Sequence, residues 1–304
     1  MSETVPPGGG RAGERRSILA ALLSLTKPRV ISLLLVTAVA PMYMTDRGVP
    51  SLALVGWVLL GGYLMAGGAN AINMWFDRDI DDKMSRTKLR PLPAGHLTAG
   101  QALTFGIALA TTAFALFWTR VNHLSAWLAL GGLLFYVFIY TIWLKRTSTQ
   151  NIVIGGAAGA VPVLVGWSAV TGSLDWAPFV LFGVMFLWTP PHFWALAIRY
   201  ADDYRAANVP MLPAVASLEV TVHKMVLYTA AMVAGTLVLW PVAELGLIYG
   251  IAAVVLGALF LWGTIDLGRN PSPQRSMRVF AFSITYVTLL FAAITVDVLV
   301  RHGL

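Results

Sequence analysis

The chain has no cysteine among its 304 residues. That absence excludes a disulfide, a thiolate metal site, covalent attachment of a cofactor through a C-x-x-C pair and a cysteine nucleophile, while leaving the redox compartment open. Charge is scarce as well. Asp, Glu, Lys and Arg make up 12% of the chain, about half the ~25% usual in soluble domains. Hydrophobic residues reach 58%, and the mean hydropathy is +0.74. So few charges cannot cover a soluble core of this size. The composition therefore needs lipid to face and predicts an all-α integral membrane protein.

Apolar runs of about 20 residues, the length that crosses a ~30 Å hydrocarbon core, occur nine times. They fall near 28–46, 51–76, 99–119, 123–143, 150–170, 176–198, 221–242, 245–267 and 279–299. Residues 1–17, "MSETVPPGGGRAGERRS", are polar, basic and rich in Gly and Pro. They lack the apolar stretch and small-residue cleavage site of a signal peptide, and read as a disordered cytoplasmic tail. The two longest connections, about 77–98 and 199–220, are too short for a second domain, so residues 18–304 form one polytopic membrane domain.

The net charge of +7 raises the prospect of a nucleic-acid partner, which the placement of the basic residues excludes. With a cytoplasmic N-terminus, alternate sides of nine helices receive eighteen and three of the 21 Lys and Arg; only Arg47, Arg120 and Arg301 fall on the far side. This is positive-inside topology, with the C-terminus on the far side of a bacterial-type cell membrane. It also leaves a basic cytoplasmic face suited to an anionic substrate.

The second apolar run ends abruptly in "NAINMWFDRDIDDKMSRTKLRPLPAG", Asn70 to Gly95, with four aspartates and five basic residues. At 100° per residue from Asn73, Asp77 lies at about 40°, Asn70 at about 60° and Asp81 at about 80°, so two amides and two carboxylates share one face. Asp79 and Asp82 point elsewhere and, with Lys83, read as solvated interface charges. Two carboxylates one turn apart can hold Mg²⁺, which prefers one or two carboxylates plus phosphate oxygens. That arrangement suits a diphosphate. Arg86, Lys88 and Arg90 follow as partners for its oxygens.

The sixth apolar run carries His192 behind Pro190-Pro191, among Phe186, Trp188, Phe193 and Trp194. On a continued wheel Arg199 and Asp203 share its face. His96, His123, His223 and His302 sit at surfaces. Tryptophans 118, 127, 143, 176, 240 and 262 lie near helix ends and read as an interfacial belt. Glycines in "LMAGG" (64–68), "GGAAG" (155–159) and at 131–132 suit close helix contacts, since no strand precedes them and no P-loop lysine follows.

The N-x-x-x-D-x-x-x-D spacing of Asn73, Asp77 and Asp81 resembles the first aspartate-rich motif of the UbiA-type intramembrane prenyltransferases. The longer "DRDIDDKMSRTKLRPLPAG", together with "TPPHFWALAIRYADDYRAANVPMLP" from Thr189 to Pro213, is similar to the haem-modifying branch of that family. The likeness spans residues 20–300. It implies a nine-helix bundle around a central cavity, Mg²⁺ as cofactor, and farnesyl transfer from farnesyl diphosphate to the 2-vinyl group of haem B with hydration. Haem B is then a substrate, and the product, haem O, serves haem-copper terminal oxidases, with haem A synthase or oxidase assembly factors as partners. Another prenyltransferase of the family, with an aromatic acceptor such as a hydroxybenzoate or chlorophyllide, is the nearer alternative, and the PPHFW and VPMLP segments argue against it. A transporter would more usually place its polar groups near the bilayer midplane.

On this reading the catalytic candidates are Asn73, Asp77, Asp81 and His192. The diphosphate-binding candidates are Asn70, Arg86, Lys88, Arg90, Arg199 and Asp203. Asp77 and Asp81 are the Mg²⁺ ligands, with Asp202 or Asp203 as a further one. The second block departs from the wider family, where a full D-x-x-x-D is common, because "YADDY" has no aspartate at spacing four. His192 is left with three roles: donor to a haem propionate, contact to the haem iron, or positioning of the water that hydrates the product.

Overall fold

A computed structural model describes residues 17–301, so nearly all of the expected tail, and His302, lie outside the described residues. Among the described residues the secondary structure is helical, without strands. The helices are α1 Ile18–Leu25, α2 Pro28–Tyr43, α3 Leu52–Phe76, α4 Arg78–Lys83, α5 Ala99–Arg120, α6 His123–Thr147 and α7 Asn151–Thr171. They continue with α8 Trp176–Arg199, α9 Ala201–Ala206, α10 Leu212–Val215, α11 Leu218–Val242, α12 Leu247–Arg269 and α13 Pro273–Arg301. Eight are long and apolar enough to cross a membrane, or nine if α1 and α2, bent by 44°, count as one span.

That bent pair revises the first expected span. Pro28 disfavours α-helical dihedrals at the residue before it, and Lys27 adopts a left-handed conformation, φ 54°. The chain therefore breaks at Lys27, and the short α1 precedes it. The break is anchored on α3: Thr26 Oγ1 lies 3.0 Å from the Tyr63 hydroxyl, and Asn70 Nδ2 donates to the Thr26 carbonyl at 2.9 Å.

Helix starts follow local chemistry. Ser51, Asn122 and Ser217 cap α3, α6 and α11 with side-chain oxygens, and Thr98 with Gln101 forms a capping box on α5, satisfying amides that have no intrahelical partner. The start of α12 has no such residue of its own. Asp297, on α13 and 1% exposed, accepts from the amides of Gly246 and Tyr249 instead.

Lipid tails give no hydrophobic drive to join helices, so close backbone contact carries much of the packing. α3 lies against α5 so closely that a Cβ on Gly68 would stand 2.7 Å from the Gly106 carbonyl oxygen. α7 meets α2 in the same way at Gly166 and Ala38, and Gly155 admits the Tyr140 ring. Centrally placed α8 packs against α7, α11 and α13, with Trp194 almost fully buried. Five of the six belt tryptophans are exposed; Trp240 instead packs on Gly250, where the missing side chain leaves room for the indole.

α6 changes winding part-way. From Phe135 to Leu144 it is a π-helix, a wider turn that carries extra residues and often marks functional segments. Thr141 Oγ1 bonds the Tyr136 carbonyl within it at 2.9 Å. The span then runs on to Thr147, beyond the 143 expected from hydropathy, and its last turn brings Lys145 and Arg146 to the end of α3. α8 stays helical through Pro190 and Pro191.

Candidate active site

Asp77 ends α3 and opens α4, so the two expected carboxylates straddle a helix junction. Both are buried, Asp77 fully and Asp81 with 2% exposure. Isolated buried carboxylates cost too much to remain charged, and each here has a basic partner. Lys145 Nζ donates to Asp77 Oδ2, which also accepts from Asn73 Nδ2 at 2.6 Å. Arg90 NH1 lies 2.8 Å from both oxygens of Asp81. Asp77 Oδ1 is sealed from solvent without a hydrogen bond, 3.7 Å from Arg146 NH2.

Asn73 is the hub of this cluster. Its amide nitrogen reaches Asp77 and, at 3.1 Å, Thr141 Oγ1 from the π-wound segment; its carbonyl oxygen accepts from Lys27 Nζ at 3.1 Å. Three elements thus converge on one amide: the break before α2, the end of α3 and the wide turn of α6. Lys27, Thr141, Lys145 and Arg146 were not among the residues singled out by sequence. Lys145 and Arg146 counted only toward topology, and no local pattern joins them to α3. The usable signal was the basic Lys145-Arg146 pair closing an apolar run on the aspartates' side.

Asp79 is more than an interface charge. Arg146 grips it through two N–H bonds of 2.8 Å while donating to the Phe76 carbonyl at 3.2 Å. Those bonds hold the Asp79 carboxyl down to about 2. Asp82 and Lys83 are exposed as expected.

The other expected residues are placed separately. Asn70 is buried on the Thr26 carbonyl, bracing the break near the cluster. Arg86 and Lys88 are exposed, with the Arg86 guanidinium 5.5 Å from the centre of the Tyr200 ring. Asp203 accepts from Ser85 Oγ at 2.7 Å and from the Arg86 amide at 3.4 Å, tying the segment after α8 to the segment after α4. Asp202 pairs with Arg205 at 2.5 Å and is almost fully exposed. No cluster of three or more acidic or histidine side chains able to hold a metal occurs among the described residues.

His192, Arg199 and Asp203 do not form one constellation, because the helix breaks at Tyr200 and Asp203 belongs to α9. Arg199 is exposed. His192 lies buried in an aromatic slot, stacked on Trp188 at 4.2 Å and Phe280 at 4.6 Å, with Phe193 edge-on at 4.9 Å. Its Nδ1 is 2.6 Å from Ser283 Oγ on α13.

Fold and site together define an integral membrane helical protein with an acid–base cluster at one mouth of the bundle and an aromatic histidine slot within it. The chain belongs to the UbiA prenyltransferase family, whose pattern matches residues 33–289. It is 50% identical over 287 residues to a protein named protoheme IX farnesyltransferase from Streptomyces avermitilis, covering 92% of this chain and 94% of that one. It is 53% identical over 281 residues to a protein of the same name from Frankia casuarinae, covering 91% and 97%. Among solved structures it resembles a UbiA homolog from Aeropyrum pernix K1, with a TM-score of 0.66, 22% identity, and coverage of 93% and 99%. A UbiA homolog from Archaeoglobus fulgidus bound to GPP and Mg²⁺ gives 0.62 at 18% identity, with coverage of 90% and 99%. Membership sets aside the transporter reading.

Proposed function

We propose that the chain transfers a farnesyl group from farnesyl diphosphate to the 2-vinyl group of haem B, with hydration, forming haem O. The names of its relatives support the haem acceptor. The observation that carries the chemistry is Asp77 Oδ1, a sealed carboxylate oxygen without a hydrogen bond, set among lysine and arginine side chains. An unsatisfied buried oxygen is costly, and its persistence points to a ligand that completes it.

The residues present fit Mg²⁺ of the two-carboxylate kind. Asp77 and Asp81 would supply the hard oxygen donors that hold it, alongside phosphate oxygens of the substrate. When bound, Mg²⁺ supplies positive charge to the leaving diphosphate. Lys145 and Arg146 pair with Asp77, Arg90 pairs with Asp81, and Lys27 reaches the same cluster through Asn73, so four basic side chains gather where the diphosphate would leave. Such preorganised cations stabilise charge where it develops. The allylic C–O bond breaks with its electron pair going to diphosphate. The haem vinyl group then attacks the farnesyl cation, water captures the resulting carbocation, and one proton is released.

In this reading the site opens to the cytoplasm, the N-terminus is cytoplasmic, and the C-terminus is on the far side of the cell membrane. The eighteen basic residues on one side of the expected topology support that orientation. Haem A synthase or oxidase assembly factors are the partners that would take the product. The test is incubation of membranes with haem B, farnesyl diphosphate and Mg²⁺, reading product by mass. A haem carrying one added farnesyl group and one added hydroxyl is expected. Turnover of a phenolic acceptor with no new haem species overturns the assignment.

A further inference from the structure

Ser283 meets α8 twice. Its carbonyl accepts from Trp188 Nε1 at 2.9 Å, and its hydroxyl lies 2.6 Å from His192 Nδ1. The same hydroxyl lies 2.6 Å from the Phe280 carbonyl oxygen, one turn back in α13. A serine hydroxyl has a single proton to give, and a carbonyl can only accept. The proton therefore goes to Phe280. If Nδ1 were bare and took that proton instead, two oxygens would face each other at 2.6 Å with nothing between them. Both short contacts are hydrogen bonds only when the imidazole donates from Nδ1.

We infer that Ser283 is a positioning residue that holds His192 as the Nδ1–H tautomer and leaves Nε2 as a bare lone pair for the acceptor. Trp188 and Phe280 stack on the imidazole at interplanar angles of 19° and 26°, so the ring cannot tilt freely. Nε2, on the opposite edge, has no hydrogen bond among the described residues, and His192 keeps 8% of its surface. A bare lone pair cannot donate to a haem propionate, which removes one of the three roles open from sequence. It is the form in which imidazole binds iron, with the other ring nitrogen fixed by a hydrogen bond. The use of Nε2 by haem iron rests on the function proposed above; the tautomer does not.

Two measurements on the purified full chain separate these points. The first is ¹⁵N NMR of histidine-labelled protein, with His192 assigned by difference against His192→Ala. Protonated Nδ1 and bare Nε2 are expected in the wild type without substrate, and a protonated Nε2 overturns the role of Ser283 whatever the acceptor. The second is optical titration with haem B. Histidine ligation lost in His192→Ala, affinity weakened about tenfold or more in Ser283→Ala, and recovery in Ser283→Thr, which keeps the hydroxyl, are expected. An unchanged tautomer and haem spectrum in Ser283→Ala overturn the inference. A wild type that binds no haem but turns over another acceptor overturns the proposed function, and the NMR result then decides Ser283 alone.

Discussion

Lys145 closes on the Asp77 carboxylate across 68 positions of sequence, from the end of the π-wound α6 to the end of α3, and both side chains are largely withdrawn from solvent. Breaking such a pair by removing one charge leaves the other uncompensated, at a cost of ~3–5 kcal/mol. Asp77→Asn is therefore expected to lower the melting temperature in detergent and to cut turnover by ~100-fold or more, the scale for losing a preorganised electrostatic group. Adding Lys145→Met restores most of the stability and none of the turnover. Near-normal turnover in Asp77→Asn would remove this pair from the site.

Metal removal probes the same cluster from outside. The lysines and arginines already neutralise the carboxylates, so a diphosphate needs a further cation. Chelator abolishes product formation in washed membranes, and Mg²⁺ restores it. Full activity in chelator would mean that the basic side chains alone stabilise the leaving group.

Arg90 and Arg86 separate by burial. Arg90 contacts both oxygens of Asp81, whereas Arg86 lies exposed against Tyr200. Arg90→Ala removes the NH1 contact with both Asp81 oxygens, so it raises the KM for farnesyl diphosphate about tenfold or more, matching the loss of a charged hydrogen bond of ~1.5–3 kcal/mol. Arg86→Ala has the smaller effect, and neither moves the KM for haem B by as much. Steady-state kinetics in both substrates decide it, and a larger effect at Arg86 would reverse the assignment.

At the opposite end of the bundle, Asp297→Ala uncaps α12. Losing a side-chain cap costs about 1–2 kcal/mol, so thermal stability falls while turnover per folded molecule is kept. An unchanged melting temperature would show that water replaces the cap.

The Asp79–Arg146 brace has a defined acid limit. Its carboxyl is held down to about 2, mainly by the Arg146 hydrogen bonds, against about 3.9 in an unfolded chain. A depressed folded value contributes stability that is full above the unfolded one and is lost as pH falls through the folded one. The advantage of wild type over Asp79→Asn is therefore constant near neutral pH and disappears between about pH 4 and pH 2, as melts at matched pH would register. Because Asp79 is more than half exposed, the effect is a small one.

Spans and the first motif are properties of neighbouring residues, so the chain states them directly. Twenty apolar residues need lipid wherever they fold, and the Asn73, Asp77 and Asp81 spacing puts those groups near one another in any helix that forms. Hydropathy placed eight spans closely and began the first at Pro28, leaving out α1, which the break at Lys27 separates from α2. What no local pattern could state is which distant groups complete each polar atom. Lys145 meets Asp77 from 68 positions away, from the last turn of the π-wound α6. Asp203 closes on Ser85 instead of aligning with His192, because the helix breaks at Tyr200. Ser283, in an ordinary apolar helix, becomes the partner of His192 only when α13 packs on α8. The Lys145–Asp77 and Ser283–His192 pairings satisfy buried groups, a demand that arises when tertiary packing removes water and that is absent while the chain is still a sequence.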